Sequence, residues 1–400
     1  MTKTIIKTVL AAAAAVLTLA SCTVFEPQAP DTYRVTLMYA AAKSNLFSSI
    51  SQDLEEFCTG SLPTKKSGDV FLVYSHMPGV NPKTNRVEYD YPTSPVLFRA
   101  WRDPDGTYRR DTLITYPDTY ISSTPEVMSE VLLDVKELFP APHYGVVVSS
   151  HGKGWIPVGY KESTPSIFSD TPPTRELCIE LINGSGINVN LIKEAIPYKL
   201  DYLVLDACLM GSIETAYEVR GLCDLLIASP TEILSDGLMY HTIGALLTNV
   251  HTPNLKGVAT EYFEHYNSMS GSFRSASITL MDCNNMEPLA EVCRKLVAKY
   301  RDAIDSTPSE KVKRYFYNEL HWFYDLRDIF VQAGINEEEL AELNAALDKT
   351  IIYARHTDSF FSLRMEDMCG LAMYKPDPKL DELNEFYKTL AWNQATGLIQ

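Results

Sequence analysis

Positive charge is scarce in this 400-residue chain: 35 Lys and Arg stand against 51 Asp and Glu, a formal net charge of −16. No Lys/Arg cluster interrupts that balance. A nucleic-acid binder needs a basic face from which to displace counterions, so no nucleic-acid partner is expected. Past the amino terminus there is also no apolar run of about 20 residues, the length that spans a bilayer, and the rest of the chain is expected to be aqueous. Neither Cys-x-x-Cys nor His-Glu-x-x-His occurs, and His76, His143, His151, His241, His251, His265, His321 and His356 are scattered, which gives a zinc hydrolase little support. What remains is an ordinary globular composition, 46% hydrophobic, 22% charged and 10% aromatic, with enough chain for one large domain or two ordinary ones. An acidic surface suits solubility and attracts basic peptide segments.

The amino terminus carries an address. Lys3 and Lys7 precede a 13-residue, mostly apolar stretch from Thr8 to Ala20, which closes as Leu19-Ala20-Ser21-Cys22. That is the pattern of a secretory signal, too short to span a membrane. Leu-Ala-Ser-Cys resembles the lipobox of bacterial lipoproteins, which implies that Cys22 is the lipid attachment and the first mature residue. Residues 1–21 are therefore expected to be a signal peptide and 22–33 a lipid-anchored tether, holding an exported protein at a bacterial membrane, either the outer membrane or the cell surface. The other cysteines, Cys58, Cys178, Cys208, Cys223, Cys283, Cys293 and Cys369, are widely spaced. A chain this long builds its core without staples, so most of them read as small buried hydrophobes.

Beyond the tether, short β-rich runs alternate with helical segments. Strands are expected at Arg34–Tyr39, Asp69–Tyr74, Tyr144–Ser150, Tyr202–Asp206 and Asp224–Ala228. Leu46, Ile50, Leu54 and Phe57 repeat at helical spacing between the first two. Asp103-Pro-Asp-Gly106 could suggest a calcium loop, but the other ligands of such a loop are missing and Pro-Asp-Gly is first a turn signature, so a hairpin is expected there. Thr124 and Pro125 offer a helix cap and a first-turn proline. Repeated strand–helix alternation demands a mostly parallel sheet with helices on both faces, an α/β fold. Later in the chain, a strand at Ser275–Met281 and an amphipathic helix from Leu289 to Tyr300 are expected, with more helix at 313–330 and 336–355.

In an open parallel sheet, ligands collect outside the carboxyl ends of the strands. Two strands there deliver Ser149-Ser-His-Gly-Lys-Gly-Trp155 and Leu205-Asp-Ala-Cys-Leu-Met210. A thiol and an imidazole facing one another make a nucleophile and its proton-transfer partner. Gly152 and Gly154 lack the Cβ that would keep backbone N–H groups away from a substrate oxygen. Asp206, two residues before Cys208, points the same way in an extended strand and would favour a cation in the adjoining pocket. A lone histidine after a strand is commonly structural and a lone cysteine commonly filler; the joint placement singles these two out.

His151-Gly-Lys-Gly-Trp155 and Asp206-Ala-Cys-Leu-Met210, followed by Glu214 and Tyr217, resemble the paired motifs of the clostripain family of cysteine peptidases. The resemblance extends through Met38–Ala42 before Asn45-Leu46, Ala228-Ser229 with Gly237 and Tyr240, Tyr324–Asp328 and Gly370–Tyr374. It implies a caspase-like three-layer α/β/α sandwich with a mostly parallel central sheet, in which residues 34–250 form the catalytic domain and 251–400 a C-terminal α+β extension packed on the same sheet. By that resemblance His151 is the catalytic histidine, Cys208 the nucleophile, Gly152 and Cys208 the oxyanion donors, and Asp206 the acid that selects Arg or Lys in substrates, which are proteins or peptides with basic residues. The family usually carries a pair of acids after Ser229 and a Gly-Trp before its Tyr; here the chain has Pro230-Thr-Glu232 and Leu238, so no second acid is assigned, with Glu232 and Asp236 as options. Self-cleavage between the motifs could use Lys153, Lys161, Arg175, Lys193 or Lys199. No cofactor is required by the residues, and only the resemblance allows calcium. The competing expectation is a lipoprotein that keeps the peptidase fold as a binding protein without turnover.

Overall fold

Runs rich in Val, Leu and Ile build the centre of the molecule, a nine-stranded sheet in a computed structural model that describes residues 32–160, 186–248, 252–316 and 322–400. The signal peptide, Cys22, the tether up to residue 31, Lys161, Arg175 and the apolar run 177–182 lie outside the described residues. The strands are β1 (Arg34–Ala41), β2 (Asp69–His76), β3 (Val96–Arg102), β4 (Tyr108–Thr115), β5 (His143–Ser149), β6 (Leu200–Asp206), β7 (Cys223–Ala228), β8 (Ser277–Asp282) and β9 (Ile351–His356). Their order across the sheet is β9-β8-β7-β6-β5-β1-β2-β3-β4. The central strands β7, β6, β5, β1 and β2 are parallel. Antiparallel pairs extend both edges, β3 and β4 on one side and β8 and β9 on the other. Every residue of β1 is buried, so both faces of the sheet are covered, as its continuous apolar run requires.

The crossovers are helical. The principal helices are α1 (Phe47–Thr59), α2 (Pro125–Leu138), α3 (Ile213–Glu218), α4 (Tyr240–Leu247), α5 (Leu255–Asn267), α6 (Met286–Ser306), α7 (Leu326–Gln332), α8 (Glu337–Thr350), α9 (Asp381–Lys388) and α10 (Ala391–Thr396). Thr124 caps α2 through its side chain, with Pro125 in the first turn. Gly145 in β5 makes room for the ring of Tyr202, which a Cβ would meet at 1.9 Å. The Tyr202 hydroxyl shares a hydrogen bond of 2.8 Å with Thr36 Oγ1, locking β6 to β1 across β5. The Asp103–Gly106 turn closes the β3–β4 hairpin, with Gly106 N–H donating to the Asp103 carbonyl at 2.8 Å and Gly106 in the left-handed region at φ +84°.

Two expected helices are corrected. Among the described residues of 313–330, helix begins only at Leu326, because Tyr315 N–H donates to the Phe323 carbonyl and Asp325 N–H to the Lys313 carbonyl, so 313–315 pair with 323–325 instead of coiling. The helix starts where the Asp325 side chain caps the Asp328 N–H. The second, expected over 336–355, begins as expected, with a capping box of Asn336 and Glu339, but stops at Thr350. Ile351-Ile-Tyr353 leaves it to pair with β8, an available sheet edge that outweighs helical periodicity for β-branched residues.

Candidate active site

β5 and β6 run side by side in parallel with Ser149 opposite Asp206, so the two loops beyond them leave the sheet at one level. Ser150 N–H donates to the Asp206 carbonyl at 3.3 Å and carries the pairing one step further. The next contact fixes Gly152. A Cβ there would lie 2.5 Å from the Cys208 carbonyl oxygen, 2.9 Å from the Ala207 Cβ and 3.0 Å from the Cys208 nitrogen, so only glycine lets the His151 loop seat on the Cys208 peptide. Leu209, directly after Cys208, has φ +62°, a left-handed conformation that is strained for a leucine and turns the chain sharply at the cysteine.

His151 is buried, and its Nε2 lies 2.7 Å from Oδ1 of Asn45, which stands in the loop between β1 and α1. With the amide oxygen facing it, Nε2 carries the proton and Nδ1 is the basic nitrogen of the neutral ring. Ser149 Oγ donates to the buried Asp53 on α1 at 3.3 Å, so the segment around α1 grips the end of β5 twice. Asn45 is the residue that sequence reasoning left without a role. Its signal was there, because it follows the carboxyl end of β1, the neighbour of β5.

Cys208 is fully buried. Its sulfur accepts the Ile233 N–H at 3.1 Å, and its thiol approaches the Ile233 carbonyl at 3.6 Å. Leu209 N–H donates to the Thr231 carbonyl and Gly211 N–H to that of Ser229, so the segment after β7 lies along and covers the loop that bears Cys208. Asp206 is buried beside it, with Oδ2 accepting the Tyr240 hydroxyl at 2.7 Å. Of the two optional acids, Glu232 is buried within the covering segment and Asp236 is exposed. A cavity of about 140 Å³ opens beside His151 and Gly152, lined also by Tyr39, Ser122, Leu205 and Met210; neither Cys208 nor Asp206 lines it.

The later part of the chain braces these loops. Glu214 on α3 is buried, and its Oε1 accepts the Tyr374 N–H at 2.8 Å and the Tyr387 hydroxyl at 2.7 Å. Burial raises its carboxyl above the ordinary range, against those two hydrogen bonds. Trp155 packs against Tyr374 and Tyr387 at centroid distances of 4.6 and 5.1 Å. Ala372 N–H donates to the Gly211 carbonyl, joining the run Gly370–Tyr374 to the loop after Cys208.

The family model for the clostripain family, peptidase C11, matches residues 38–394. The chain belongs to the clostripain family. Clostripain of Hathewaya histolytica is 25% identical over 231 residues, 52% of this chain but only 41% of that protein's length. Among solved structures, an inactive zymogen C11 protease from Parabacteroides distasonis has a TM-score of 0.75 at 26% identity, covering 92% of this chain and 99% of that one. A secreted C11 cysteine protease from Bacteroides thetaiotaomicron has a TM-score of 0.74 at 22% identity with the same coverage, a likeness of fold. The sandwich is thus the caspase-like one of this family. Among the described residues no group of three or more His, Cys, Asp or Glu is placed to hold a metal ion. Asp103 Oδ2 is engaged by Arg109 Nε at 2.6 Å.

Proposed function

We propose that this protein is a cysteine endopeptidase that cleaves on the carboxyl side of Arg or Lys, with Cys208 as nucleophile and His151 as its proton-transfer partner. The observation that carries the reading is the seating of Gly152 on the Cys208 peptide at the ends of two strands in register. The Cys208 thiolate attacks that carbonyl, and the N–H groups of Gly152 and Cys208 hold the oxyanion. His151 gives its proton to the leaving amine, and water then hydrolyses the thioester and restores the thiol. Asp206 draws a guanidinium or ammonium group into the adjoining pocket. The Ile233 N–H must leave the sulfur before attack, so the conformation described is a latent one. The leader pattern supports export, with a lipid on Cys22 as the tether.

A second reading, a binding protein without turnover, is favoured by the burial of Cys208 under Ile233. Replacing Cys208 with Ala decides between them. The endopeptidase reading expects turnover of an Arg-reporting peptide to fall by about 10⁵-fold or more, with the unfolding midpoint unchanged. Equal turnover in both proteins, or none in the wild type after the covering segment has been displaced by proteolytic nicking, contradicts it.

A further inference from the structure

Six cysteines lie among the described residues, and five of their contacts divide them sharply. Cys58 donates to the Tyr108 hydroxyl, Cys369 to the Leu371 carbonyl, Cys208 engages Ile233, and Cys293 is buried among apolar side chains. Cys223 and Cys283 instead meet each other, sulfur to sulfur at 3.6 Å across 60 residues of chain. Cys223 opens β7, Cys283 follows directly on β8, and the antiparallel register that pairs Leu225 with Asp282 brings the two to the same end of the strand pair. Both are buried. A disulfide needs about 2.05 Å between sulfurs, so each must move by roughly 0.8 Å, within reach of side-chain rotation.

We propose that Cys223 and Cys283 are a modification site, joined by a disulfide that closes as the chain folds in an oxidising compartment. The oxidant is a disulfide of a small thiol or of a thiol oxidoreductase. One cysteine thiolate attacks it, its S–S bond breaks and one thiol leaves; the second cysteine then attacks the mixed disulfide and releases the second thiol. Two protein S–H bonds are lost, one S–S bond forms, and the oxidant is reduced to two thiols. Timing follows from burial. In the folded chain the contact with Cys283 and the loss of water push the Cys223 thiol far above its ordinary range, so exchange belongs to the stage before β7 and β8 seat. Afterwards the same burial shields the bond from reductants. The link pins the end of β7 opposite to the one from which Ala228-Ser229 runs over the nucleophile. It thereby holds the base of the covering segment, whether or not the catalytic reading stands.

The test is a thiol count. The full chain, produced with its leader and recovered from the cell-envelope fraction of a bacterial host, is unfolded in guanidinium chloride with iodoacetamide, with and without prior reduction. It is then weighed intact and after digestion. The proposal expects two fewer carbamidomethyl groups without reduction, one linked peptide pair containing Cys223 and Cys283, and an unfolding midpoint that falls by about 5 °C on reduction. Cys283→Ser should leave Cys223 open to alkylation without reduction. Equal alkylation in both arms, or a link that uses any other cysteine, overturns the assignment. If Cys283→Ser fails to fold, the wild-type mapping decides alone.

Discussion

Asn45 presents an amide oxygen to His151 Nε2 at 2.7 Å, and that one contact fixes which ring nitrogen can act as a base. Its contact is with the ring of His151, so if it acts by positioning that ring its loss should disturb chemistry more than binding. Asn45→Ala is expected to lower kcat by roughly tenfold to a hundredfold with KM within about twofold. Asn45→Asp, which keeps an acceptor and places a carboxylate beside the ring, should retain activity and move the acid limb of the pH–rate profile upward. A fall in stability with no change in either kinetic reading would make Asn45 merely structural. The role proposed for Asp206 works through charge instead. Asp206→Asn should cost about 10²–10³-fold in kcat/KM for Arg reporters, and an equal loss for neutral reporters would contradict a role in selecting cations. The placement of His151, Gly152, Asp206 and Cys208 at neighbouring strand ends was legible because each sits in or just beyond the end of a recognisable strand. The role of Asn45 was not, because its contact spans 106 residues and needs the sheet order, not the local pattern.

Helix α3 follows the nucleophile loop, and its buried Glu214 ties it to Tyr374 and Tyr387. Burial raises that carboxyl above its ordinary value of 4.5, so the folded protein favours the protonated acid. Such a group contributes its full stability below the unfolded value and loses it as pH rises through the folded one. Glu214→Gln keeps the acceptor and never ionises, so its unfolding midpoint should decline less than the wild type's as pH rises above the ordinary carboxylate range. Glu214→Ala orphans two buried donors and should cost about 2–4 kcal/mol. Parallel pH curves for the wild type and the Gln variant would refute this account of α3. The same scale shows where sequence patterns end. Strands β1, β2, β5, β6 and β7 carry apolar runs that only double burial explains, and they were readable. Residues 313–316 and 351–356 were not, because backbone pairing with distant partners, 323–325 for the first and β8 for the second, decided their conformation.

Across the whole molecule, the later part of the chain is woven into the earlier. β8 and β9 extend the sheet that β1 to β7 begin, and Gly370–Tyr374 reaches back to Gly211 and Glu214. That weaving accounts for the lack of a Pro/Gly/Ser linker near residue 250. It also means that the loops bearing His151 and Cys208 are held from both sides of the sequence, by Asn45 and Asp53 before them and by Phe323, Tyr374 and Tyr387 after. The central claim is that those two loops form one reactive cleft. A thiol-reactive peptide ending in Arg, incubated with the protein after proteolytic nicking has displaced the segment over Cys208, tests it most directly, with the adduct mapped by mass. The account predicts a single adduct on Cys208, competed away by an Arg-containing peptide and suppressed by His151→Ala at neutral pH. An adduct confined to other cysteines, or one on Cys208 indifferent to His151 and to the competing peptide, would contradict it.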